Sequence, residues 1–130
     1  IDAPTGTLKG IQERLAHMLW EYQKVLRIEK NVRANISHAF EKKKSIITNA
    51  QIHRNKHIVL NLDLERFFES FHFGRVCGYF EKNKDFLLPH DVSIVLAQLA
   101  CYHGHLPQGA PSSPIITNLI CQIFDRLIVK

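Results

Sequence analysis

The apolar residues change period once along this chain, and that change limits the fold more than any other feature. From Thr7 onward, Leu8, Ile11, Leu15, Met18, Leu19, Tyr22 and Leu26 recur at three and four, the rhythm of an amphipathic helix with those residues as its core face. At residues 57–64, HIVLNLDL, the rhythm gives way to a β-rich apolar run too short for a helix. This run predicts a buried strand that delivers Asp63 to its C-terminal end. Helical patterning returns at 72–84, at 90–101 with Pro89 preset near the first turn, and at 114–129. A shorter helix is predicted at about 45–53, with Ser45 as its cap. Residues 27–44 are basic with a weaker apolar rhythm, and Lys42–Lys44 marks a solvated turn. The expected fold class is α+β, predominantly helical with few strands, and no internal repeat appears.

Composition is that of an ordinary globular domain: 130 residues, 45% apolar and 22% charged, which argues against disorder. The formal charge of +5 is unevenly spread: residues 1–57 hold 11 Lys and Arg against 5 Asp and Glu, residues 58–130 hold 6 against 7. The basic half is either a surface for a polyanion such as a phosphate backbone or a solvated basic face. Cys77, Cys101 and Cys121 are odd in number and widely spaced, which fits a reducing, cytoplasmic setting better than a disulfide framework. Cys101, His103 and His105 alternate like three metal ligands, but no fourth is evident. No run approaches the roughly 20 apolar residues of a membrane span, and no signal peptide opens the chain. Because it begins at Ile1 without a methionine and ends within a helical pattern, the chain is expected to be an excised piece.

Three stretches carry candidate chemistry. A carboxylate at the end of an apolar strand is costly to bury alone, so Asp63 needs a divalent cation, backbone donors or a helix terminus; capping the following turn is the plain alternative. Phe67 and Phe68 place flat groups beside it, or simply fill core. LPQGAPSSP, residues 106–114, wraps the single amide of Gln108 in three prolines and a glycine, either to hold it for a ligand or merely to lead into a helix. NAQIH, residues 49–53, puts Asn49 and His53 on one helix face.

Taken together, NLDLERFF at 61–68, LPQGAPSSP at 106–114 and NAQIH at 49–53 resemble motifs of reverse transcriptases, the last of them those of the bacterial retron type. APTGTLKGIQ at 3–12 is similar to the family's first fingers motif, AFEKKKSI at 39–46 to a retron lead-in, and NLICQIFDRLI at 118–128 to the helix after the glutamine loop. The resemblance covers nearly the whole chain and implies part of a right-hand polymerase: a fingers portion over 1–56 and a partial palm with interleaved fingers elements over 57–130. The implied activity is RNA-directed DNA polymerisation by two-metal nucleotidyl transfer in a retron or antiviral-defence setting. The implied partners are an RNA template, a cognate noncoding RNA foremost, together with DNA product, deoxynucleoside triphosphates and Mg²⁺.

Residue by residue, the resemblance makes Asp63 the first metal aspartate, bridging two Mg²⁺ ions roughly 3.5–4 Å apart, with the Leu64 carbonyl as an extra ligand. Phe68 matches the position that closes on the sugar's 2′ carbon and leaves no room for a ribose hydroxyl. Gln108 lies against the incoming nucleotide and template pair, held by Pro107, Gly109 and Pro111, with Gly109 allowing close approach. Ser112 and Ser113 are expected to cap the helix that follows. Asn49 and His53 are assigned to RNA contacts or to bracing the fold, and Lys9 to phosphate contact or to plain solvent exposure.

Two departures stand out. The family's Tyr-x-Asp-Asp hairpin does not occur, and neither does the basic residue that precedes the first motif, so the 130 residues alone are expected not to polymerise. An unpaired edge on the 57–64 strand would favour self-association. The alternative readings are a phage-defence or group II intron-like reverse transcriptase, and a non-catalytic RNA-binding module that retains the fold.

Overall fold

A computed structural model describes residues 3–30, 37–41 and 43–128. Five helices follow in order: α1 (Gly6–Glu29), α2 (Ile46–His53), α3 (Phe73–Lys82), α4 (His90–Ala100) and α5 (Ser113–Ile128). All five lie where helices are predicted from the sequence, and α2 and α3 open on side-chain caps. Ser45 closes a capping box on α2: its hydroxyl accepts from the Thr48 amide at 3.3 Å while the Thr48 hydroxyl accepts from the Ser45 amide at 2.8 Å. His72 caps α3 by accepting the Arg75 amide on Nδ1 at 3.2 Å. Pro89 is the N-cap of α4, and Asp91 sits in its first turn, where the helix dipole favours a carboxylate.

Packing is helix against helix. α3 lies mainly on α4, and α1 runs across α4 and α5. The core between them is built from Leu15 and Leu19 of α1, Val76 and Phe80 of α3, Ala97 and Ala100 of α4, and Ile115, Ile116 and Leu119 of α5, closed by Phe71 and Leu106. The connection between α3 and α4 is tied down: the Leu88 amide donates to the Phe80 carbonyl at 3.0 Å, and Phe86 packs against Tyr22, Tyr79 and Phe80. From α1, the Tyr22 hydroxyl donates to the Asp85 carbonyl and Lys30 pairs with the Asp85 carboxylate.

Two expectations change. The α1 core face is rotated from the one predicted: Leu15 and Leu19 are buried, but Leu8, Ile11, Met18 and Tyr22 are exposed, and Gln12 and Gln23 are buried in their place. Apolar residues surround most of this helix, whereas α4 and α5 cover only one side of it. Gln12 is drawn inward by an orphan carbonyl of the last turn of α4, donating from Nε2 to Leu99 O at 2.7 Å.

The predicted buried strand at 57–64 does not form. The segment carries no regular secondary structure and is exposed throughout, Ile58 at 88% and Leu62 at 77%. A strand exists through its ladder, and among the described residues β-pairing is confined to the isolated bridges of His105 with His72 and with Tyr102.

Candidate functional site

Two segments far apart in sequence are hooked together by the residues that flank Phe68 and Gln108. Residues 102–105 make a tight turn in which the Tyr102 amide donates to His105 O at 2.8 Å and the His105 amide donates back to Tyr102 O at 3.2 Å. Both central residues have positive φ, His103 at 49° and Gly104 at 82°, as a type I′ turn requires, and glycine takes the second of them without steric cost. The turn then docks beside α3: the Phe73 amide donates to Gly104 O at 2.8 Å and the Leu106 amide to Phe71 O at 3.1 Å. The residues just after His105 are thereby registered against those just before Phe73.

On one side of this hook, residues 66–71 turn tightly, with Arg66 at φ 49° and its carbonyl accepting the Ser70 amide at 3.0 Å. Phe67 and Phe68 are half-buried against the core, and Phe67 meets Phe68 and Phe71 edge-on at ring separations of 5.3 and 4.9 Å. On the other side, buried Pro107 is the anchor: its carbonyl accepts the Ala110 amide at 3.3 Å and the buried Ser113 hydroxyl at 2.7 Å. This leaves Gln108 exposed at the crown of the loop. Between the two sides lies a cleft of about 380 Å³ lined by Arg66, Phe67, Phe68, Glu69, His105, Leu106, Pro107 and Gln108. Its size falls at the low end of the range for small-molecule sites. It joins an aromatic wall, an amide free to donate and accept, and a guanidinium.

Phe68 and Gln108, forty positions apart in sequence, therefore meet in one cleft. Arg66 joins them without having been singled out from the sequence; its charge next to Asp63 was visible, but only the turn shows that it faces this cleft. Its guanidinium is well exposed and lies 3.9 Å from both Glu65 and Glu69, two solvent-screened ion pairs of small worth.

The other predicted residues stand elsewhere. Asp63 and Leu64 are exposed just before the turn and do not line the cleft; the Asp63 carboxylate accepts the Leu64 amide at 3.0 Å. Exposed carboxylate and carbonyl oxygens suit Mg²⁺ in kind, since that ion takes hard oxygen donors and keeps several waters. Among the described residues Asp63 does not converge with two further carboxylate, imidazole or thiol donors. Gly109 is half-buried beside Gln108. Lys9 is exposed on α1, 4.0 Å from Glu13 one turn on. Asn49 and His53 share an exposed face of α2, a helix with no buried residue.

Two smaller expectations are corrected. Ser113 does not cap α5 but ties the loop back to Pro107, while the buried Ser112 hydroxyl has no hydrogen-bond partner among the described residues. Cys101, His103 and His105 do not converge as metal donors among the described residues, because the turn carries His103 to its exposed tip. Burial also pushes the Cys101 thiol up from its ordinary 9.0 to about 11. Cys121 is raised by burial too, with the charge of Asp125 adding to the effect and Arg75 opposing it.

No established family profile matches the chain. Individual proteins do. Over 125 residues, taking in 96% of this chain, it is 38% identical to the Retron Ec86 reverse transcriptase of Escherichia coli. The chain is related to the retron reverse transcriptases. The Retron Mx162 reverse transcriptase of Myxococcus xanthus is 33% identical over 108 residues, covering 69% of the chain, and the Retron Se72 reverse transcriptase of Salmonella heidelberg is 30% identical over 117 residues, covering 90%. The chain spans 36%, 22% and 28% of the lengths of these three retron reverse transcriptases, respectively.

Proposed function

We propose that the chain is the fingers portion and first part of the palm of a retron-type RNA-directed DNA polymerase, and that the cleft between Phe68 and Gln108 receives the incoming deoxynucleotide. The meeting of Phe68 and Gln108 in one cleft, in a chain related to retron reverse transcriptases, is the observation that carries this reading. In it, the Phe68 ring takes the space a ribose 2′-hydroxyl would need, which selects deoxy over ribo substrates. Gln108 offers two donors and one acceptor to sugar or neighbouring base without fixing a sequence. Pro107, locked by Ser113 and Ala110, fixes the backbone from which that amide projects before any ligand arrives, so the loop itself needs little ordering on binding. Arg66 meets the phosphates at the mouth.

Asp63 and the Leu64 carbonyl are the residues that would hold Mg²⁺. When bound, the metal supplies charge neutralisation for the triphosphate and activation of the primer's 3′ oxygen. RNA template and DNA product would be its macromolecular partners.

Binding of a fluorescent deoxynucleoside triphosphate to the chain in Mg²⁺ tests the reading. Gln108→Ala is expected to weaken it by about fivefold to tenfold, the value of one or two hydrogen bonds. Asp63→Ala should remove the Mg²⁺ dependence, and Phe68→Ala should bring ribonucleotide affinity close to that of the deoxynucleotide. Nucleotide binding indifferent to all three substitutions would sink the reading. RNA binding that is steep in salt yet blind to Mg²⁺ and to Asp63→Ala would favour a non-catalytic RNA-binding module.

A further inference from the structure

Away from the cleft, three side chains of different chemistry converge where α3 meets α4. Cys77 and Glu81 are four residues apart and share one face of α3, and His90 is the first residue of α4. One donor atom from each, the Cys77 sulfur, a Glu81 oxygen and a His90 nitrogen, lies within 4.8 Å of the others. His90 Nδ1 is 3.3 Å from Glu81 Oε2. We propose that Cys77, Glu81 and His90 form a binding site for a zinc-class divalent ion that ties α3 to the start of α4.

The donor set is the first reason. Thiolate, imidazole and carboxylate together suit zinc, a borderline-soft ion, far better than Mg²⁺ or Ca²⁺, which take oxygens. Thiolate and carboxylate also neutralise the charge of a divalent ion, so the loaded site adds no net charge to a half-buried position. Bonds of 2.0–2.3 Å at tetrahedral angles put donors about 3.3–3.8 Å apart, so the side chains need close in by only about 1 Å. Preorganisation is the second reason. The loop joining the two helices is held by Leu88 on Phe80, by the Asp85 amide on Asn83 Oδ1 at 2.9 Å, and by Lys30 on Asp85, so His90 is presented to α3 on a fixed tether. Access is the third. Cys77 is buried and Glu81 half-buried, but His90 is exposed, giving an ion a route in from solvent and room for water as fourth ligand.

Cobalt(II) added to the metal-free chain tests the site, because a thiolate ligand gives a near-ultraviolet charge-transfer band that an all-oxygen site near Asp63 cannot give. The expected result is that band together with the intense visible bands of four-coordinate cobalt, both displaced by Zn²⁺ and untouched by excess Mg²⁺. Cys77→Ser should abolish the charge-transfer band, while Cys101→Ser and Cys121→Ser leave it intact. His90→Gln, an exposed change that leaves the core alone, should weaken binding by about tenfold or more, since even partners that only support a ligand cost that much. No charge-transfer band in the unmodified chain, a band that survives Cys77→Ser, or an unchanged affinity in His90→Gln would each overturn the proposal.

Discussion

Met18 and Leu19 are neighbours on α1, both apolar, and both on the face that spacing marks as core; yet Leu19 is 3% exposed and Met18 58%. Truncating Leu19 to alanine removes methyl groups from among closely packed neighbours and is expected to cost about 2–5 kcal/mol. Met18→Ala should stay within about 0.5 kcal/mol. Urea unfolding of the two variants decides the matter, and equal losses would mean that the buried stripe includes Met18 after all. This difference could not be read from the sequence. Leu8, Ile11, Met18, Tyr22, Val25 and Ile28 are all exposed although all are apolar, so the pattern establishes a helix without saying which way it turns. The deciding contacts, such as Gln12 on the Leu99 carbonyl, are long-range. At the cleft the position is similar: Phe68 and Gln108 each stood out in the sequence, but only resemblance to a family gave them a shared role, and Arg66 emerged only once the turn at 66–71 was seen.

At the scale of elements, the helices were legible because their causes are local. Ser45 and Thr48 cap α2, Pro89 opens α4, and the apolar rhythm of α3 and α5 matches the faces that pack. The strand was misread for the opposite reason. HIVLNLDL has the composition of a buried strand, but a strand is stabilised by partners elsewhere in the chain or beyond it, and none pairs with it among the described residues. Ile58→Lys and Leu62→Lys are therefore expected to leave the unfolding free energy of the isolated chain within about 0.5 kcal/mol, while making it more soluble. A loss above about 2 kcal/mol in urea unfolding would show that these side chains are buried in solution, as the composition first suggested.

For the molecule as a whole, the uneven charge can be narrowed to a place. Several basic residues of the N-terminal half are already engaged: Lys9 lies near Glu13, Lys24 near Glu21, Arg27 pairs with Glu41 at 2.6 Å, and Lys30 with Asp85. Lys43, Arg54 and Lys56 are exposed and have no ion pair among the described residues, and they bracket α2, whose outer face carries Asn49 and His53. An RNA partner would gain most there, because a cation without a carboxylate neighbour releases a counterion on meeting a phosphate without breaking a pair. For single-stranded RNA each such contact contributes about 0.7 to the slope of log affinity against log salt. Arg54→Gln with Lys56→Gln should therefore lower the slope by about 1.4, whereas Lys9→Gln should change it little. No helix among the described residues is long and apolar enough to cross a membrane. Fluorescence titrations of a labelled RNA across a salt series provide the measurement. If Lys9→Gln changes the slope as much as the double variant does, RNA lies along α1 instead, and the exposed face of α2 has some other purpose.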